Sequence, residues 1–247
     1  MRIRNLVTIL AGIGLGAGVL IVPAGATSPN QTSLTANNWR AFNVNPSTSY
    51  FWDINKATSD GTGGISAPFS QFESTTTGSF LTYLETNYNV DLTDKTITVT
   101  ASWTPPDGNP AYATRHGLSD GAYAYVEFQD VTSGSYTSND YWWYNGNAFD
   151  LNSASSGSVT AALSDRAHWS NVCGQSATDM TPHPGPNCVG GTDPAVSPYD
   201  GFTNAMRNVK VVSLSFGRKS AFASGVAWNG PSATSASFDL ASFDVTP

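Results

Sequence analysis

Apolar and polar residues alternate along most of the chain, most strictly in Thr96–Trp103. Ile97, Val99, Ala101 and Trp103 fall on one side and the threonines on the other, the period of two expected of a strand with one buried face. Comparable patterns predict strands at Trp39–Val44, Ser49–Ile54, Gly157–Leu163, Val209–Phe216, Ala221–Trp228 and Ser235–Val245, with a bulge at Ala241-Ser242. Turn residues separate them, as in Asp60-Gly61-Thr62-Gly63-Gly64, Pro105-Pro106-Asp107-Gly108 and Asn229-Gly230. The exception is Phe80, Leu81, Leu84 and Tyr88, whose spacing predicts one short surface helix over Ser79–Thr86.

The rest of the chain is organised around Gly121–Tyr144. Tyr123, Tyr125, Glu127 and Gln129 should share one face of a strand, with Ala124, Val126 and Phe128 on the other. A Ser- and Gly-rich turn leads to a second strand, Asp140-Tyr141-Trp142-Trp143-Tyr144. Paired, these strands carry Tyr and Trp rings beside a carboxylate and an amide. Flat rings stack on the C–H faces of sugars, and the polar groups read hydroxyls. Trp142 and Trp143 are neighbours, so only one of them can share that face. The alternative role for these rings is to fill the core of a sandwich.

Strand signals recurring every 8–12 residues or so are the spacing of an all-β sandwich. The closing segments, Phe216-Gly217, Phe222–Ala227 and Phe238–Val245, together with the Tyr-Trp-Trp-Tyr strand, resemble those of jelly-roll carbohydrate-binding modules. That resemblance implies a single jelly-roll-like β-sandwich and glycan binding, and fixes no individual ligand residue.

The first residues change the picture of where the protein works. Arg2 and Arg4 precede an apolar run from Leu6 to Val22, followed by Ala24-Gly25-Ala26, the layout of a secretory signal peptide spanning residues 1–26. The mature chain is expected to be one domain, residues 27–247, secreted, extracellular and monomeric, with no membrane anchor after cleavage. Cys173 and Cys188, the only cysteines, then form a disulfide stapling a Pro- and Gly-rich loop.

A formal net charge of −7 argues against nucleic acid or anionic lipid as partner, since both need basic patches. A neutral polysaccharide or cell-surface glycan fits better. Catalytic signatures are sparse: there is no Gly-x-Ser-x-Gly, His-Glu-x-x-His or Cys-x-x-Cys, and His116, His168 and His183 lack metal-ligand spacing. Of three glutamates, Glu127 is the candidate acid/base, because burial among rings would raise its pKa. A glycosidase needs a second carboxyl, for which Asp53 and Asp140 are the candidates. The residues therefore favour binding over catalysis, through Tyr123, Tyr125, Glu127, Gln129, Trp142 and Trp143, with no catalytic group. The alternatives are a glycoside hydrolase or lyase using Glu127, and a structural or adhesive envelope protein. No organic cofactor is expected. A structural calcium ion would draw on Asp53, Asp60, Asp239 and Asp244, near the two chain ends.

Overall fold

A computed structural model describes residues 38–45, 47, 50–53, 57–108, 111–131, 136–188, 190–219, 223–231 and 234–247. The expected signal segment lies outside these residues, as do the side chains of Tyr50–Asp53. In chain order the strands are β1 (Trp39–Asn45), β2 (Tyr50–Asp53), β3 (Thr58–Ser59), β4 (Ile65–Phe69), β5 (Phe80–Val90), β6 (Thr96–Trp103), β7 (Tyr112–Thr114), β8 (Tyr123–Gln129), β9 (Tyr141–Tyr144) and β10 (Phe149–Asp150). There follow β11 (Ser156–Ala162), β12 (Trp169–Asn171), β13 (Gly185–Pro186), β14 (Thr192–Asp193), the helix α1 (Pro198–Arg207), β15 (Val209–Gly217), β16 (Val226–Trp228) and β17 (Ala236–Thr246).

Two curled antiparallel sheets form a sandwich-like, jelly-roll-compatible arrangement. The larger runs β12-β9-β8-β15-β5-β1-β2, with β7, β10 and β16 attached, and the smaller runs β11-β6-β17-β4-β3. The inward positions of β6 are Ile97, Val99, Ala101 and Trp103, as the alternation requires. Between the sheets, Phe216 meets Phe238 edge-on at 5.1 Å and Trp103 stacks on Phe238 at 6.0 Å. Each such ring withdrawn from water contributes roughly 1.5–3 kcal/mol. In β17 the pairing with β6 shifts between Leu240 and Ser242, the site of the expected bulge.

The helix expected over Ser79–Thr86 is instead part of β5, a central strand between β1 and β15. The physical reason is a register shift. Phe42 pairs with Tyr83 but Asn43 pairs with Leu81, so Thr82 is an extra residue. Leu81 and Leu84, three apart, therefore both reach the core, and a bulged strand imitates helical spacing.

Among the described residues the one α-helix is Pro198–Arg207. Ser197 caps it, its Oγ accepting from the Asp200 backbone N–H at 3.1 Å, and Pro198 opens the first turn. Phe202, Ala205 and Met206 form its buried stripe, and Phe202 packs on Trp142 at 5.0 Å and Phe128 at 5.7 Å. Gly201 is required by close approach, since a Cβ there would come within 2.4 Å of Asn139.

Cys173 and Cys188 are bonded, with Cα atoms 5.5 Å apart. Among the described residues no helix is long and apolar enough to cross a membrane.

Candidate functional site

Residues paired directly across an antiparallel ladder share a face, so the registers define rows on the outer side of the larger sheet. One row reads Trp143, Glu127, Ser213, Glu85 and Arg40 across β9, β8, β15, β5 and β1. On one side of it lie Tyr125, Ser215, Tyr83 and Phe42; on the other, Tyr141, Gln129, Val211 and Asn87. The face thus carries tyrosines, serines, two amides and two glutamates among Trp143, Phe42 and Val211, with Arg40 at its margin.

Glu127 sits at its centre and is 0% exposed. Its Oε1 accepts from Gln129 Nε2 at 3.1 Å, while Oε2 has no hydrogen-bond partner, and neither has the facing Ser213 Oγ. Burial pushes the Glu127 carboxyl up to about 8, and the charge of Glu85 adds to the effect; Gln129, Ser215 and Ser213 oppose it only in part. At neutral pH Glu127 is mostly protonated. Glu85, two strands away, is mostly buried and ion-paired to the half-exposed Arg40 at 2.9 Å. Burial likewise raises Tyr83 well above the ordinary phenol value, followed by the charge of Glu127. It raises Tyr141 too, where the neighbouring Tyr136 adds.

The expected ligand-binding residues divide into three groups. Tyr123 is half-buried on the outer face. Tyr125 and Trp143, at 3% and 5% exposure, share that face but are closed off. They meet edge-to-face at 4.9 Å, and Tyr123, Ala148, Val172 and Ala223 pack against the pair. Their polar ends are used internally: Tyr125 O–H donates to the Arg218 carbonyl and Trp143 Nε1–H to the Asn171 carbonyl. An open stacking shelf at these two rings is therefore corrected to a covered aromatic cluster. Gln129 is buried and spent on Glu127. Trp142 is a further correction. It alternates to the inner face, is fully buried against Phe202, and donates Nε1–H to the Asn139 carbonyl at 2.6 Å.

The proposed calcium ligands are drawn from both sheets. Asp60 binds the backbone N–H groups of Thr62 and Gly64 in the β3–β4 turn, Asp239 accepts from Ser237 Oγ, and Asp244 lies further along β17. Asp53 is on the larger sheet, with its side chain outside the described residues. No group of three His, Cys, Asp or Glu side chains that could hold a metal occurs among the described residues. His168 and His183 each pair with a nearby aspartate, Asp165 and Asp179, at 2.8 Å. Asp140, considered as a second acid, lies instead beside Asp130, whose carboxyl is raised to about 7 by burial and by the charge of Asp140.

Sequence reasoning missed Tyr83, Glu85, Ser213 and Ser215. The first two were assigned to a helix. The signal for the others was Ser213 and Ser215 alternating inside an apolar strand, the mark of a polar face that is itself covered. No protein-family model matches this chain, and no curated protein matches it either.

Proposed function

We propose that this is an exported protein that binds a neutral glycan on the outer face of its larger sheet. The observation that carries the reading is the set of half-buried tyrosines, Tyr83, Tyr123 and Tyr141, sharing one face with the carboxyl groups of Glu127 and Glu85. Partly exposed rings stack on sugar C–H faces, and carboxyl and hydroxyl groups accept from sugar O–H. The polar centre of the face is held neutral by the protonated Glu127, and the chain carries a net charge of −7, so an uncharged ligand is favoured over an acidic one. The export reading rests on Arg2, Arg4, the apolar run and Ala24-Gly25-Ala26, and the Cys173–Cys188 disulfide supports it.

The test is native affinity electrophoresis of the mature protein in gels containing mixed-linkage β-glucan, xylan or galactomannan. Retardation by at least one, weakened roughly fivefold in Tyr141→Ala at the about 1 kcal/mol expected of one stacked ring, supports the reading. A parent protein that migrates unchanged in all three gels overturns it.

A further inference from the structure

We propose that the same face cleaves the glycan it binds, with Glu127 as the proton donor and Glu85 as the base that activates water. This rests on reading the face as a glycan site.

Glycoside hydrolysis needs two carboxyl groups facing one another across the scissile bond. Glu127 and Glu85 occupy one row, separated by the single strand β15. Two strand spacings put their Cα atoms about 9–10 Å apart. The residue between them, Ser213, is small and its hydroxyl is unpartnered, so no bulky side chain of β15 divides the two acids. Side chains that project side by side from a sheet keep roughly that spacing, and a carboxyl separation in this range suits the wider, inverting geometry of about 6.5–9.5 Å, which leaves room for water, better than the retaining one of about 5–5.5 Å.

The two environments differ in the sense the chemistry requires. Glu127 holds its proton at neutral pH and has Oε2 unengaged, while Glu85 is a carboxylate held by Arg40. Glu127 donates its proton to the glycosidic oxygen as the bond from that oxygen to the anomeric carbon breaks. Water adds to the anomeric carbon from the opposite side and gives its proton to Glu85. The products are an alcohol on the leaving sugar and a hemiacetal of inverted configuration. One water is consumed, and solvent returns the proton from Glu85 to Glu127. Glu127 is closed off in the free protein. Substrate reaches it by displacing side chains of its own face, where Tyr83 and Tyr141 lie half-buried in the rows on either side.

The experiment follows reducing ends released from the three polysaccharides above by the parent, Glu127→Gln and Glu85→Gln proteins, alongside gel retardation and the thermal midpoint. Glutamine reproduces a protonated glutamate in shape and can still accept from Gln129, so Glu127→Gln should fold, remain retarded and lose at least about 100-fold of its cleavage rate. Should Glu85→Gln unfold, Glu85→Asp keeps the charge facing Arg40 and withdraws the base by one methylene. The first-formed product, followed by NMR, should have inverted anomeric configuration. A parent that is retarded yet releases no reducing ends overturns the catalytic pair and leaves binding intact. Equal cleavage by Glu127→Gln also overturns it. A parent neither retarded nor active overturns both readings.

Discussion

Glu127 and Ser213 face each other across the β8–β15 ladder, and Glu127 Oε2 and Ser213 Oγ both lack a hydrogen-bond partner. A buried polar atom left unpaired costs about 1–3 kcal/mol. Here the two groups lie near enough for the Ser213 hydroxyl to favour the ionised Glu127 slightly, yet burial dominates and the carboxyl stays raised.

That arrangement makes stability depend on pH in a defined direction. The Glu127 carboxyl is raised from its ordinary 4.5 to about 8, so the folded chain holds a proton the unfolded chain releases. Its contribution is fully present below about pH 4.5, is lost progressively as pH rises, and is gone above about 8. Glu127→Gln removes this dependence. Urea unfolding from pH 5 to 8 should show the parent losing at least about 2 kcal/mol relative to the variant, at up to about 1.4 kcal/mol per unit. Asp130, raised to about 7, titrates in the same direction and leaves a residual slope in both proteins. Parallel pH profiles would refute the buried, protonated state of Glu127.

Trp142 and Tyr141 are neighbours on β9 with opposite duties. Trp142→Ala opens a cavity among Phe202, Phe128 and Trp169 and strands the Asn139 carbonyl, and should cost about 3–5 kcal/mol in urea unfolding. Tyr141→Ala, half-buried on the outer face, should cost about 1 kcal/mol and act mainly on glycan retardation. Equal destabilisation by the two would mean that Tyr141 also serves as core.

How much of this was legible in the chain depended on whether one face of each strand was dry and the other wet. In Thr96–Trp103 it was, and the alternation located both the strand and its inward residues. In Tyr123–Gln129 the two faces were read correctly as different, but on the outer one Tyr125, with Trp143 of β9, is covered by contacts with Ala148, Val172 and Ala223 from later in the chain. Such long-range cover leaves no local trace, so Tyr125 and Trp143 looked available for stacking. The β5 register shift hid Tyr83 and Glu85 for the opposite reason: a strand irregularity set by its partner β1 produced a local pattern that belongs to helices. The true helix, capped by Ser197 and opened by Pro198, was not assigned from the sequence, because it is short and follows a Pro- and Gly-rich loop.

The disulfide secures more than its own loop. Val172, next to Cys173, packs on the Tyr125–Trp143 pair, and the Asn171 carbonyl holds the Trp143 indole. Cys173 and Cys188 are 15 apart in sequence, so the bond should stabilise the fold by about 3 kcal/mol in the chain-entropy model. The double variant Cys173→Ser/Cys188→Ser should therefore unfold at lower urea and show red-shifted tryptophan emission as the cover over Trp143 loosens. A lower midpoint with unchanged emission would separate the staple from the outer face.

Asp193 ties the same region together from the other side. It is 7% exposed and accepts from the Ser138 backbone N–H at 2.7 Å, from Ser138 Oγ, and from Asn187 Nδ2 at 2.8 Å. Burial alone would raise its carboxyl, but the hydrogen bonds from Asn187 and Ser138 outweigh it and hold it below the ordinary value. A depressed carboxyl contributes stability that is present above the unfolded pKa, near 3.9, and is lost as pH falls through the folded one. Asp193→Asn turns one acceptor oxygen into a donor facing the Ser138 and Asn187 donors, and should cost about 2–3 kcal/mol at pH 7. The deficit should shrink below about pH 4, where the parent aspartate also takes a proton. A deficit that stays constant from pH 7 to pH 3 would show that shape rather than charge is what Ser138 and Asn187 require of this position.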